Sequence, residues 1–153
     1  MTADTTEISY VEADKEMKAR VAAEWGDLQA RHMHVTDDGF SIVAMAAGRP
    51  VGLVSINWRQ LPPPIAGAVE AFVDIIEVRD VFRRKGIASR MVGMAAYRAR
   101  VHGACQLRAW SSEGRAEAIA TWKALGFGLC PATVHPGGAE VRGYFATLPI
   151  RPA

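Results

Sequence analysis

The stretch from Val73 to Val92, VDIIEVRDVFRRKGIASRMV, changes character twice. Its opening belongs to AVEAFVDIIEV, rich in β-branched residues, and reads as a strand whose centre is buried on both faces. Its close begins a helix from Ile87 to His102, where Ala88, Val92, Ala95 and Ala99 form a small-residue stripe able to lie close on a sheet. Gly103 is placed to end that helix. Between the two lies a basic loop. A strand that delivers such a loop to a helix start aims the unpaired N–H groups of the first helical turn into the loop, and such an end attracts anions. Gly86 lets the backbone approach an anion, Ala88 keeps the way clear, and Arg83, Arg84 and Lys85 supply countercharge. A solvated basic turn would have the same composition, so spacing alone leaves both readings open. A Walker-type nucleotide loop is disfavoured, because the first glycine of G-x-x-x-x-G-K-[ST] is missing.

Outward from this stretch the periodicity assigns the remaining elements. TEISYVE, residues 6–12, reads as a strand. Asp14 is placed to cap a helix with Met17, Val21 and Trp25 on one face, and Gly26 interrupts it before a second short helical or mobile segment. FSIVAMAAG and PVGLVSINWRQ alternate with period two and are linked through Gly48, Arg49 and Pro50 as a hairpin. LPPPIAG is a stiff loop, since proline has no N–H to give a central strand. CQLRAW is a further strand. Ser111 or Ser112 is placed to cap a last helix with Ile119, Trp122 and Leu125 on one face, and Gly126-Phe127 has the form of a Schellman stop. Two closing strands, FGLCPATV and EVRGYFATLPI, flank the loop HPGGA. The order β, α, (α), β, β, β, α, β, α, β, β predicts an α/β fold: a mixed sheet with helices on its faces, in one domain over residues 1–153.

Size and composition agree with that. The 153 residues are half apolar, enough for one full core. The acidic N-terminus and the lack of a long apolar run make a cytoplasmic protein with no membrane partner the expectation. Cys105 and Cys130 lie among apolar neighbours with no Cys or His at metal-ligand spacing, so buried, reduced thiols and no metal are expected. Charge is lopsided: residues 1–76 carry 6 Lys/Arg against 11 Asp/Glu, residues 77–153 carry 12 against 5. Eight cations fall between Arg79 and Arg108 (Arg79, Arg83, Arg84, Lys85, Arg90, Arg98, Arg100, Arg108), which points to an anionic partner near the basic loop. Nucleic acid is disfavoured, because the cations are not interleaved with aromatics and no helix-turn-helix or zinc pattern is present.

VDIIEVRDVFRRKGIASRMV resembles motif A of the GNAT superfamily of acetyl-CoA-dependent N-acetyltransferases: a strand ending in Val, then [QR]-x-x-G-x-[GA], matched by Arg83, Gly86 and Ala88. AIATWKALGF, residues 118–127, is similar to that family's motif B. The resemblance covers roughly residues 70–130 and implies a splayed, mostly antiparallel mixed sheet of six to seven strands with helices on both faces, in which the strand Glu70 to Val78 parts from the strand Cys105 to Trp110. Acetyl-CoA would sit between them, its pantetheine arm on the backbone of Ile76 and Val78 and its pyrophosphate on the N–H groups of Arg84, Lys85, Gly86, Ile87, Ala88 and Ser89. The eight-cation segment would then face the most highly charged part of the cofactor. Motif B would add Arg115 and Trp122 to the cofactor's surroundings. The implied enzyme is a bacterial-type acyltransferase moving an acetyl group to a primary amine, small or peptidic, by direct transfer in a ternary complex. Many relatives dimerise, which leaves room for a homodimer.

The chemistry needs a proton acceptor, since an ammonium with pKa about 10.4 is almost wholly charged at neutral pH. Asp74, four residues before Val78, is the first candidate, where relatives often carry an acid. Strand alternation puts Glu70 on the same face as Asp74 and Glu77 on the other. Glu70 joins Asp74 as a candidate catalytic acid, and these two acids near the implied cleft favour a cationic amine. The Val78 backbone N–H is the oxyanion donor that the family geometry suggests. Two residues depart from the family pattern: Trp122 stands where a Tyr commonly protonates the leaving thiolate, and Arg115 where Asn is common. Tyr144 or solvent is left to supply that proton. A catalytically degenerate acyl-CoA-binding or regulatory module is therefore the alternative. His32, His34, His102 and His135 are scattered and read as surface or helix-end residues.

Overall fold

A computed structural model of the chain describes residues 6–151. The elements are β1 Ile8–Glu12, α1 Lys15–Glu24, α2 Asp27–Arg31, β2 Gly39–Ala46, β3 Arg49–Gln60, β4 Val69–Val78, α3 Ile87–His102, β5 Gln106–Ser112, α4 Ala116–Ala124, β6 Gly128–Val134 and β7 Val141–Pro149. The strands make a seven-stranded sheet in the order β1-β2-β3-β4-β5-β7-β6. Pairing is antiparallel for β1/β2, β2/β3, β5/β7 and β6/β7, and parallel for β4/β5. This is the mixed, open α/β architecture expected from the order of elements. No described helix is long and apolar enough to cross a membrane. The chain divides into two compact units, one holding the described residues up to Trp58 with Asp74–Arg98, the other Arg59–Val73 with the described residues from Ala99 onward; β4 contributes to both.

In the first unit, Asp14 caps α1 as expected, its Oδ1 accepting from the Met17 N–H at 2.8 Å. The β2–β3 hairpin turns on Ala47 (φ 49°) and Gly48 (φ 75°), the two positive angles that suit a tight hairpin. Arg49 and Pro50 therefore belong to β3 rather than to the turn. The core gathers Val21, Ala30, Met33, Val43 and Leu53, with Met17 and Trp25 packed against it. At Gly52 a Cβ would stand 3.1 Å from Ile87 Cγ2 and 3.2 Å from Met91 Cε, so its absence lets α3 seat closely on β3. Val92 and Ala95 of the small-residue stripe are buried. The second half of β4 departs from expectation: Asp74 to Glu77 are half-buried rather than covered on both faces.

In the second unit both helix stops are Schellman motifs. Gly103 (φ 92°) donates to Arg100 O at 3.0 Å and Ala104 N–H to Ala99 O at 3.0 Å. Gly126 (φ 88°) donates to Lys123 O and Phe127 to Trp122 O, each at 3.0 Å, and the Phe127 ring packs on Trp122 with centroids 4.9 Å apart. The start of α4 differs from expectation. Arg115 occupies the N-cap with no side-chain bond, while Ser111 and Ser112 lie within β5. Ser111 has another partner: its Oγ accepts from Trp122 Nε1 at 3.0 Å. Cys105 and Cys130 are both free and exposed, against the expectation of burial: Cys105 lies in the turn before β5, and Cys130 on the outermost strand β6.

Candidate functional site

The basic loop lies in the first unit. β4 ends at the buried Val78, and Arg79 N–H donates to Val51 O at 2.8 Å as the chain leaves the sheet. Asp80–Phe82 form one 3₁₀ turn. Arg84 (φ 63°) and Gly86 (φ 77°) then both take left-handed conformations, which reverse the chain into α3. Gly86 does this without a Cβ, whereas the same angle at Arg84 is strained for an L-residue. Ile87 is buried under the turn, Ala88 is half-buried, and Arg83 to Gly86 and Ser89 are exposed. The first turn of α3 holds no acidic residue, and the helical ladder starts with Arg90 N–H on Gly86 O at 3.0 Å. The N–H groups of Ile87, Ala88 and Ser89 precede that ladder and point toward the loop. Cations, a left-handed glycine and an acid-free helix start make a donor set that suits a diphosphate.

Not all eight cations share that task. Arg79 donates through Nε to Pro50 O at 2.9 Å and through Nη2 to Glu24 O at 2.7 Å, with its guanidinium over the Trp25 ring. Arg98 pairs with Glu12, and Arg108 pairs with Glu70 in the second unit. Arg83 bonds Val78 O at 3.0 Å and the exposed Asp80 at 3.1 Å, and Lys85 lies over Phe82. The expectation that the whole segment faces one anion is thus replaced by a narrower one, centred on Arg83, Arg84 and Lys85.

Asp74, on the first-unit half of β4, is joined to a histidine expected at the surface or at a helix end. Its Oδ2 is in hydrogen-bond contact with His34 Nε2, while His34 Nδ1 lies 2.7 Å from Asp38 Oδ2. His34 and Asp74 side chains are 17% and 19% exposed and Asp38 52%, so the row runs from the sheet to solvent. The His34 hydrogen bond, with help from Thr36, holds the Asp38 carboxyl below its ordinary value. The His34 N–H donates to the Ser41 and Ser55 hydroxyls at 3.0 and 3.1 Å, and both serines are fully buried. Ile76 and Val78 follow Asp74 on the same strand, and Glu77 accepts from Gln29 at 2.9 Å.

Glu70, Arg115 and Trp122 belong to the second unit. Glu70 is 1% exposed. Both its oxygens face Arg108 Nε, at 2.8 and 3.1 Å, and Gln106 Nε2 donates to Oε2 at 2.8 Å. Burial alone would push this carboxyl up, but Arg108 and Gln106 outweigh it and hold it below the usual carboxylate range. Arg108 also lies over the Phe72 and Phe145 rings. Trp122 is buried with its indole N–H committed to Ser111, and Arg115 is exposed. Tyr144 sits directly opposite Ser111 in the β5–β7 ladder.

The residues missed from sequence are His34, Asp38 and Arg108. A faint signal exists for the first two: His34 and Asp38 are four apart in HVTDD, a spacing that lets an imidazole and a carboxylate meet across a turn. Nothing local marks Arg108 as the partner of Glu70, which is distant in sequence.

No curated protein sequence matches the chain. Among solved structures, Arabidopsis thaliana NAA60 in complex with acetyl-CoA superposes with TM-score 0.75 at 11% identity, over 94% of this chain and all of that one. The ribosomal-protein-S18-alanine N-acetyltransferase from Escherichia coli gives 0.71 at 15%, over 96% of each. The aminoglycoside N-acetyltransferase AAC(6')-Iy, in complex with CoA, gives 0.67 at 16%, over 84% and 92%. These likenesses concern the fold. A family model described as the acetyltransferase (GNAT) family matches residues 5–127, spanning β4, the basic loop, α3 and α4, and the chain belongs to that family.

Proposed function

We propose that the protein is an N-acetyltransferase that uses acetyl-CoA to acetylate a primary amine by direct transfer, with residues 1–153 acting as one acetyltransferase domain in the cytoplasm. The observation that carries the reading is the turn from β4 into α3, where Arg84 and Gly86 are both left-handed, the cations are exposed, and the helix start is free of acid. On this reading the N–H groups of Arg84 to Ser89 hold the diphosphate, Arg83 and Lys85 add countercharge, and the backbone of Ile76 and Val78 lines the pantetheine arm. When bound, acetyl-CoA supplies the acetyl group as an activated thioester. Asp74 receives the proton that the acceptor ammonium must lose before its nitrogen can attack, and the Val78 N–H is the donor assigned to the developing negative charge. Glu70 has a different part: buried and ion-paired to Arg108, it shapes the strand that leads into the site. The acids Asp38 and Asp74 favour a cationic acceptor, either a small molecule or a peptide amine, and the solved structures of similar fold include enzymes named for both kinds.

A second reading, a degenerate acyl-CoA-binding module, is favoured by Trp122, whose N–H is spent on Ser111 and cannot serve as an acid. Tyr144 and solvent are the remaining proton sources, and a thiol near pKa 8.5 also leaves as an anion. Calorimetry with CoA and acetyl-CoA, followed by thiol release with polyamines, aminoglycosides, amino acids and peptide N-termini, separates the readings. Binding with turnover supports the enzyme, binding without turnover the degenerate module, and no binding removes both.

A further inference from the structure

We propose that Asp38, His34 and Asp74 form one proton-carrying unit in which His34 is a positioning residue acting through Asp74; the proposal rests on the acetyltransferase reading. A carboxylate only accepts hydrogen bonds, and both imidazole nitrogens donate only in the imidazolium. With His34 Nε2 against Asp74 Oδ2 and Nδ1 against Asp38 Oδ2, a proton held between Nε2 and Oδ2 would be shared by the pair. The backbone that carries the ring is anchored. The His34 carbonyl accepts from Ser41 Oγ at 3.0 Å, its N–H is held by Ser41 and Ser55, and Asp38 is held by Thr36 Oγ1 at 2.8 Å. At Gly39 a Cβ would meet the Ile56 carbonyl at 1.8 Å and His34 Cβ at 3.0 Å, so the backbone beside the ring leaves no slack.

Every packed element contributes a defined neighbour. From α1, Lys18 Nζ bonds Met33 O at 3.3 Å, next to His34; β2 and β3 give Ser41 and Ser55; β4 gives Asp74 and, further on, Glu77, engaged by Gln29. The working form is the one from which the shared proton has departed, leaving neutral His34 with its Nδ1–H donated to Asp38. Asp74 then takes one proton from the acceptor ammonium, which keeps its electron pair as the nucleophilic amine, and passes that proton to Nε2. Nδ1–H stays donated to Asp38, and the proton on Nε2 then leaves through Asp74 to water, so one is gained, one is lost and the starting tautomer is restored.

The test follows the His34 ring nitrogens and the Asp74 carboxyl carbon by NMR against pH in the full chain, with thiol release from acetyl-CoA and spermidine over the same range. We expect both nuclei to report one common step, Asp38→Asn to move it, and the acid limb of kcat/KM to coincide with it. His34→Gln should lower kcat by about tenfold or more while leaving KM little changed, and displace that limb. Separate steps for ring and carboxyl, or an Asp74→Asn variant in which the His34 step is unmoved, would overturn the unit. Asp38→Asn, which keeps the imidazole, guards against His34→Gln simply failing to fold. A common step with no thiol release from spermidine or any amine of the wider screen would instead overturn the acetyltransferase reading.

Discussion

Glu70 and Asp74 are two carboxylates four positions apart on one strand, and their surroundings divide them. Glu70 is enclosed, clamped by a guanidinium and an amide, with aromatic rings around Arg108. Asp74 is part-exposed and meets an imidazole that leads on to a second, solvent-facing acid. A carboxylate locked to arginine stays charged through any pH that matters to the cell, because arginine does not give up its proton. A carboxylate hydrogen-bonded to histidine has a partner able to change state. The difference separates a fixing group from the group proposed to work, although both are carboxylates on one strand.

The largest effect expected from breaking this contrast is on stability. Glu70→Leu leaves the part-buried Arg108 unpaired and should cost about 3–5 kcal/mol in urea unfolding, with Glu70→Leu/Arg108→Met recovering most of it. If the single variant cost nothing, the clamp would have no structural role. Asp74→Asn should do the reverse: unfolding within about 1 kcal/mol of the parent, since the amide is nearly isosteric and the site is near solvent, but kcat/KM for spermidine lower by about 10²–10⁴-fold.

A third expectation sharpens the contrast through pH. The folded Glu70 value lies below its unfolded one, so its contribution to stability is fully present above the unfolded value, about 4.3, and is lost as pH falls through the folded value. The gap in urea midpoint between the parent and Glu70→Gln should therefore hold from neutrality down to that point and close below it. A gap that closed near neutrality would mean that Glu70 is not held as the charged partner of Arg108. The smallest effect concerns the loop. Gly86→Ala forces an L-residue to φ 77°, and because a Cβ there would meet nothing within 4 Å, the penalty is purely conformational, about 1 kcal/mol. Arg84→Gly should gain a similar amount by relieving the same strain, while weakening acetyl-CoA binding measured by calorimetry.

Much of the architecture was legible because its signals are local. Asp14 before a four-spaced apolar face, Gly103 and Gly126 behind their helices, and the change of period between residues 40 and 60 each fix an element without help from distant residues. The N-cap of α4 differs from expectation because Ser111 is claimed by Trp122, a tertiary partner that overrides the local preference. The thiols are exposed against expectation because apolar neighbours in the chain decide neither the side of the edge strand that Cys130 occupies nor the cover over Cys105 in its turn. At the site, Gly86 and the cations beside it stood out by composition and spacing, while their reading as a phosphate site and the choice of Asp74 rested on the family resemblance. His34 could not be selected, since a histidine in a polar connection looks the same whether its ring meets water or an aspartate from a strand forty residues away.

The two border strands of the sheet carry one last implication. β1 is only five residues long, and β6 contains Pro131, which has no amide hydrogen to offer a newcomer. A short strand at one margin and a proline in the strand at the other make both poor templates for a further chain to extend the sheet.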